Sequence, residues 1–120
     1  MLKVTLDKKN KIVTLEPHGA LTQEDFHSAI KIIDPFIEEF SNLNGLIIYT
    51  KSFPGWDNFA ALVEHLKFIH DHHKKVSHVA FVTDSLIGDL TPKIANHFVK
   101  ATVKHFKYKD LNSAKAWILG

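Results

Sequence analysis

Two short segments near the start of the chain alternate between apolar and polar residues. Apolar side chains occupy every second position of residues 2–7, and a second segment of this kind covers residues 12–18. The polar residues between them, 8–11, suit a turn. Such alternation is typical of half-buried strands, so the two segments are predicted to form an antiparallel hairpin.

A first helix is predicted to follow the hairpin. Thr22 suits the position before its first turn, and Asp25, three residues later, completes a capping box. Apolar residues at helical spacing then continue to Ile37. Pro35 has no amide hydrogen and clashes with the preceding turn of a helix, so we expect the helix to kink or restart near Asp34.

Strands and helices alternate through the rest of the chain. Residues 45–50 and 78–83 are continuous apolar runs, which are typical of buried parallel strands. Helical patterns follow each run and predict helices over residues 58–75 and 91–106. A short strand is predicted near residues 107–109.

The last helix is predicted to begin at Asn112 and to pack through Trp117, Ile118 and Leu119. The whole order is then ββαβαβαβα. Because strand–helix–strand connections are right-handed and join parallel strands, this order predicts one α/β domain over residues 1–120. Its mixed sheet would consist of an N-terminal antiparallel hairpin followed by parallel strands with crossover helices.

The amino-acid composition excludes several kinds of functional site. The chain has 120 residues, no cysteine, a net charge of +2, and lysine but no arginine. The lack of cysteine excludes disulfides, thiolate metal sites and a cysteine nucleophile. Arginine is the usual reader of guanine and phosphate, so we expect no nucleic-acid partner. The first residues lack a signal-peptide pattern and no apolar run could span a bilayer, so we expect a cytoplasmic protein.

Five short motifs give the chain a family resemblance. They are GALTQED at 19–25, LIIY at 46–49, FPGW at 53–56, VAFVTD at 79–84 and AKAWI at 114–118. In this order, and over nearly the whole chain, they resemble the SpoIIAA-like family of small bacterial domains, which is related to STAS domains and to the lipid-binding SEC14 fold. The resemblance implies that fold, and it implies binding of apolar ligands or of a membrane surface.

The sequence departs from the STAS pattern at one functional place. STAS antagonists of anti-sigma factors carry an Asp-Ser-Ser-Gly type loop after the central strand, and phosphorylation of its serine switches partner binding. Here that place is held by Gly55, Trp56, Asp57 and Asn58, which have no hydroxyl group. We therefore expect no phosphorylation switch of that kind.

The first candidate site is the loop after the first buried strand. Its residues lie where a strand's carboxyl end meets a predicted helix, a common ligand-binding position in α/β sheets: Phe53, Pro54, Gly55, Trp56 and Asp57. The alternative is structural, with Trp56 packed over the sheet edge and Asp57 capping the helix.

The second candidate site is the predicted third helix with the loop before it. Residues 91–109 contain no acidic residue, and four lysines fall at the spacing of one helical face: Lys93, Lys100, Lys104 and Lys107. The apolar residues predicted to contact a ligand are Leu86, Ile87, Leu90 and Phe98. A basic amphipathic helix can lie on an anionic membrane or bind an acidic protein. The alternative is a solvated lysine face above apolar residues that fold inward.

Histidines raise the question of a metal site. Four of the nine lie on the predicted second helix: His65, His70, His72 and His73. They lack the glutamate of a metalloprotease motif and a third and fourth ligand at defined spacing. Those near the helix C-terminus are also accounted for as cations that the helix dipole favours. We therefore expect no metal, no cofactor and no catalytic residue.

Three functions follow in order of preference. The first is a non-enzymatic binding module that holds a small apolar or lipid-like ligand beneath the 85–90 loop and the third helix, with reversible association with anionic membranes. The second is a protein-interaction regulator that uses the loop around Trp56. The third is a hydrolase or metal enzyme that uses the histidines. A homodimer is predicted if a second copy covers the row around Phe68 or the edge of the hairpin.

Overall fold

The computed structural model describes residues 2–18, 22–40, 42–51, 75–84 and 102–120. These residues form five strands and two α-helices: β1 (Leu2–Asp7), β2 (Ile12–Pro17), α1 (Gln23–Phe40), β3 (Asn42–Tyr49), β4 (Lys75–Val82), β5 (Thr102–Phe106) and α2 (Leu111–Leu119). The strands form one sheet in the order β1-β2-β3-β4-β5. β1 is antiparallel to β2, and the other neighbours are parallel. The predicted mixed α/β sheet is therefore confirmed.

The turn of the β1–β2 hairpin is held by its own side chains and tied to the centre of the sheet. The carboxylate of Asp7 accepts hydrogen bonds from the Asn10 backbone N–H at 3.1 Å and from its side-chain amide at 2.9 Å. The Asn10 backbone hydrogen bond is the main reason that the pKa of Asp7 is lowered. Lys11 adopts a left-handed φ of 56°, and its carbonyl accepts the N–H of Asn44 at 2.9 Å. The hairpin thus packs in a fixed register against β3.

The capping box predicted for the first helix is present. The Thr22 N–H donates to the Asp25 carboxylate at 2.9 Å, and the Asp25 N–H donates to the Thr22 hydroxyl at 3.2 Å. These two bonds satisfy backbone donors that the first turn of a helix leaves unpaired. The hydrogen bond from the Thr22 backbone also lowers the pKa of Asp25, because it favours the ionised carboxylate.

α1 continues through Pro35 as a single helix, so it does not restart near Asp34, and the kink expected as the alternative stays a prediction. Proline removes one backbone hydrogen bond inside a helix and crowds the preceding turn. Ile33 and Phe36, on either side of the proline, are buried. Helices in proteins draw most of their stability from such packing, and we attribute the unbroken helix to it.

Side chains of successive strand residues point to opposite faces of the sheet, and apolar side chains are buried on both. On one face, named the α2 face, a cluster joins three strands to the last helix: Ile12, Ile47, Ala80, Val82, Ala114 and Ile118. On the other face, named the α1 face, the central strands bury a second set: Val13, Leu15, Leu46, Ile48, Val79 and Phe81. α1 contacts β1 and β3 and covers part of this second face.

Residues 102–106 form β5, parallel to β4, so the helix predicted to end at Phe106 is wrong over these residues. The strand predicted near 107–109 is also wrong, because a 3-10 helix, Tyr108–Asp110, stands there. Thr102 and Val103 are β-branched, and such residues fit a pleated sheet better than a helix. The remainder of the second and third predicted helices, 58–74 and 91–101, lies outside the described residues.

The packing face of α2 was predicted only in part. Ile118 is buried at 5% exposure and Trp117 packs against the same cluster, but Leu119 is 50% exposed. Ala114 takes the place predicted for Leu119. Residues four apart share a helix face, as Ala114 and Ile118 do, whereas Leu119 is rotated away from it.

Gly45 lets α2 approach the middle of the sheet. It lies in β3, paired with Ile12 on one side and His78 on the other. A Cβ atom at this position would lie 2.6 Å from Cδ1 of Ile118 and 2.7 Å from its Cγ2. Real side chains do not pack that closely, so any larger residue here must displace the helix or its isoleucine.

We predict that Gly45→Ala lowers the free energy of unfolding by about 1–3 kcal/mol because it overpacks this contact. Ile118→Ala alone should cost about 2–5 kcal/mol. Since Ile118→Ala also removes the clash, the double variant should lose less than the sum, measured by urea denaturation. Gly45→Ala combined with Ile33→Ala, on the opposite face, should be additive. Additive losses for the Gly45 and Ile118 pair would contradict the close approach.

Candidate functional site at the carboxyl edge of the sheet

The four parallel strands bring their carboxyl ends to one edge of the sheet. The residues at this carboxyl edge lie near the end of β2, β3, β4 or β5 or follow it: Glu16, His18, Tyr49, Thr50, Lys51, Thr83, Asp84, Lys107 and Tyr108. Open α/β sheets commonly bind ligands at this edge, because the loops leave the strands there. Both segments that the sequence predicts to bind a ligand follow this edge in the sequence, after Lys51 and Asp84.

Two buried threonines hold the carboxyl edge rigid. Thr50 is 7% exposed and its hydroxyl donates to the Pro17 carbonyl at 3.3 Å. Thr83 is fully buried and its hydroxyl donates to the Lys51 carbonyl at 3.2 Å. Each hydroxyl thus links a strand end to a neighbouring strand end. Because Thr50 follows the central strand and is buried and bonded, its hydroxyl is also poorly placed for phosphorylation.

Backbone hydrogen bonds continue the pairing beyond the strands. Thr50 N–H donates to the Val82 carbonyl at 3.1 Å, and Thr83 N–H donates to the Phe106 carbonyl at 2.9 Å. Asp84 N–H donates to the Lys51 carbonyl at 3.3 Å. Thr50, Thr83 and Asp84 are therefore each held by a hydrogen bond to a neighbouring strand or strand end.

β5 and the 3-10 helix are joined to the same edge by polar contacts. The backbone N–H of Tyr108 donates to the Asp84 carboxylate at 3.1 Å. Nε2 of His105 lies 2.8 Å from the Thr83 carbonyl oxygen. A carbonyl only accepts, so this nitrogen carries the proton. These contacts place Tyr108 over the end of the sheet.

Tyr49 and Tyr108 form an aromatic pair at the carboxyl edge. Their rings are stacked with centroids 4.6 Å apart and an interplanar angle of 6°. A hydrogen bond with the Tyr108 side chain is the main cause that raises the pKa of Tyr49, and burial and the charge of Glu16 add to it. Glu16 in turn lies 3.9 Å from His18. Both tyrosines are half-buried, and Tyr49 also packs against the core cluster on the α2 face.

The residues predicted for the loop site and for the apolar ligand lie outside the described residues: Phe53, Pro54, Gly55, Trp56, Asp57, Leu86, Ile87, Leu90 and Phe98. The histidines considered for zinc, His65, His70, His72 and His73, and the Phe68 row also fall there. In the part of the chain that is described, no three metal-ligating side chains come together.

The single helical face predicted for the lysines is wrong for Lys104 and Lys107, the two that the structure describes, and their role as a membrane or partner surface stays a prediction. Lys104 lies in β5, and its ammonium stands over the rings of Phe106 at 5.2 Å and Trp117 at 5.9 Å. Lys107 follows β5 at the carboxyl edge and is exposed. A strand turns successive side chains to opposite faces, so these lysines share no helical face. Lys93 and Lys100 lie outside the described residues.

The sequence alone does not predict that Tyr49 and Tyr108 form a pair. Tyr49 was included in a buried run, although a phenol at the end of an apolar strand already indicates an aromatic side chain with a polar tip near the surface. Tyr108 was assigned to a short strand, which hid its stacking on a residue 59 positions earlier. Only the parallel pairing of β3, β4 and β5 reveals that the two meet.

We predict that Tyr108→Phe lowers the pKa of Tyr49 toward its ordinary value of 10.0, because the phenol hydrogen bond is lost. Tyr49 is then the only tyrosine left in the chain. Nuclear magnetic resonance of ring-labelled tyrosine can follow its titration in both proteins. Glu16→Gln should lower the same pKa less, since its charge is a minor cause. An unchanged Tyr49 midpoint in Tyr108→Phe would refute the contact.

The chain is similar to a known protein family. A sequence model described as SpoIIAA-like matches residues 12–119. Neither a curated protein sequence nor a solved structure matches the chain. Among the helices that the structure describes, none is long and apolar enough to cross a membrane.

Proposed function

This chain belongs to the SpoIIAA-like family, and from that premise we propose that it is a non-enzymatic regulatory module that binds a small lipid-like ligand at the carboxyl edge. Domains of this family are generally binding and regulatory modules. The observation that carries the proposal is the stacked pair of Tyr49 and Tyr108 on a rigid strand edge. Two loops that the sequence predicts to be ligand-binding begin beside it.

The chemistry of the tyrosine pair fits an amphipathic ligand. Its rings offer apolar surface for a hydrocarbon chain, while the two phenols can hydrogen bond to a polar head group. The threonine hydroxyls at Thr50 and Thr83 hold the strand ends that position the pair. A platform that is already ordered does not have to be ordered when the ligand binds, which favours affinity.

Tyr49 is poorly suited to act as a general base. A general base works best when its pKa lies near the working pH. The pKa of Tyr49 is instead raised above its ordinary value by the Tyr108 hydrogen bond. This shift argues against Tyr49 as a general base and favours a role for its phenol in hydrogen bonding.

Reversible association with an anionic membrane is the second part of the proposal. With Lys104 held over aromatic rings, the exposed lysines at or next to the carboxyl edge are Lys51, Lys107 and Lys109. The Asp84 carboxylate is held by the Tyr108 N–H. A lipid drawn from a membrane would enter at this edge, and cationic side chains there would attract anionic head groups.

We predict that the protein binds a long-chain fatty acid such as oleate, measured by isothermal titration calorimetry. Tyr108→Ala should weaken binding roughly tenfold, because it removes half of the aromatic platform. Ile32→Ala, which truncates an apolar side chain on α1 that is 44% exposed, is the matched control and should leave binding unchanged. No oleate binding, or equal loss in both variants, would contradict the lipid-like ligand.

For the membrane, we predict stronger co-sedimentation with vesicles containing phosphatidylglycerol than with phosphatidylcholine alone. Lys51→Glu combined with Lys107→Glu should abolish the difference, and Lys31→Glu on α1 should not. Equal binding to both vesicles, or none, would rule out the membrane role. A protein partner that is lost in Trp56→Ala, with no lipid bound, would instead favour the protein-interaction regulator.

A further inference from the structure

β1 is an edge strand of the sheet that the described residues form. Among the described residues it pairs with β2 alone, over six consecutive positions from Leu2 to Asp7. An edge strand presents a row of backbone N–H and C=O groups that can pair with another strand. The side chains of Lys3 and Thr5 are exposed, so the strand lies at the protein surface.

The usual features that protect an edge strand are few in β1. Such strands are commonly interrupted by proline, by a bulge or by a lysine that repels a second copy. β1 contains no proline or glycine, and its register with β2 is continuous. Leu2, Val4 and Leu6 on the α1 face are only half-buried. The remaining protective features are the charges of Lys3 and Asp7.

When two copies of β1 pair, the opposite charges of Lys3 and Asp7 attract each other. In an antiparallel pair centred on Thr5, Lys3 lies opposite Asp7 of the second copy, and the symmetry repeats the contact. Val4 then lies opposite Leu6. Opposite charges at directly facing positions stabilise a strand pair, and so do two apolar side chains.

The register centred on Thr5 and the choice of β1 over β5 are both favoured by charge. A shift by two residues, centred on Val4, places Lys3 opposite Thr5 and loses the charge pairing. β5, the other edge, would place Lys104 opposite a second Lys104 if it paired along its whole length. The Asp7 carboxylate accepts two hydrogen bonds from Asn10, but a carboxylate has about four acceptor sites, so capacity remains for a lysine.

We propose that two copies of this chain form a two-fold symmetric dimer through antiparallel pairing of β1 with β1, centred on Thr5. The contact is isologous, so it closes on itself and gives one continuous sheet across both copies. It leaves the carboxyl edge of each copy free. This proposal is independent of the ligand proposed above.

Analytical ultracentrifugation of the unmodified chain should show a monomer–dimer equilibrium. Lys3→Glu places like charges opposite each other twice, so it should raise the dissociation constant roughly tenfold. Lys31→Glu makes the same charge change on α1 and should leave the dissociation constant unchanged. A chain that stays monomeric at all concentrations, or equal effects of both variants, would overturn the proposal.

Single cysteines test the register directly, because the chain has none of its own. In Thr5→Cys the two cysteines would face each other with Cα atoms about 4.5–5.5 Å apart, within the range of a disulfide. In Lys3→Cys they would be about 14 Å apart, too far to join. Mild oxidation should therefore cross-link Thr5→Cys and spare Lys3→Cys. Equal cross-linking of both, or of neither, would overturn the register.

Discussion

The parallel pairing of β2, β3, β4 and β5 is the constraint on which the rest of the structure depends. It gathers four carboxyl ends at one edge and, through the hydroxyls of Thr50 and Thr83, extends the pairing beyond the strands themselves. Tyr49 and Tyr108 meet only because β3 and β5 end at the same level on either side of β4.

On the α2 face, aromatic side chains and one lysine stabilise the packing of α2 against the sheet. Gly45 admits Ile118 to the centre of the sheet, and Trp117 then packs edge-on to His78 at 4.8 Å and beside Phe106 at 5.7 Å. Lys104 stands over two of these rings. This lysine therefore stabilises the docking of α2.

The sequence predicted the elements whose pattern is local. Alternation identified the hairpin, continuous apolar runs identified β3 and β4, and Thr22 with Asp25 identified the start of α1. β5 was missed because Lys100, Lys104 and Lys107 fit helical spacing as well as Thr102, Lys104 and Phe106 fit a strand. Only pairing with β4 decides between a helix and a strand here. The sequence of a short segment does not show which strand it pairs with.

The continuity of α1 and the tyrosine pair depend on contacts between distant residues. Pro35 predicts a break from local chemistry, and the buried Ile33 and Phe36 outweigh it. The aromatic pair joins two strand ends that are adjacent in space and far apart in the chain. Family membership, by contrast, follows from short motifs in a fixed order, and the match to residues 12–119 confirmed it.

The central claim is that the ligand binds at the carboxyl edge. Its most direct test is a nuclear magnetic resonance titration of the isotope-labelled protein with oleate, which locates the contact residue by residue. We predict that backbone signals of Lys51, Asp84 and Tyr108 shift in a saturable manner while those of α1 stay in place. Shifts confined to α1 or to β1, with the carboxyl edge unchanged, would contradict it.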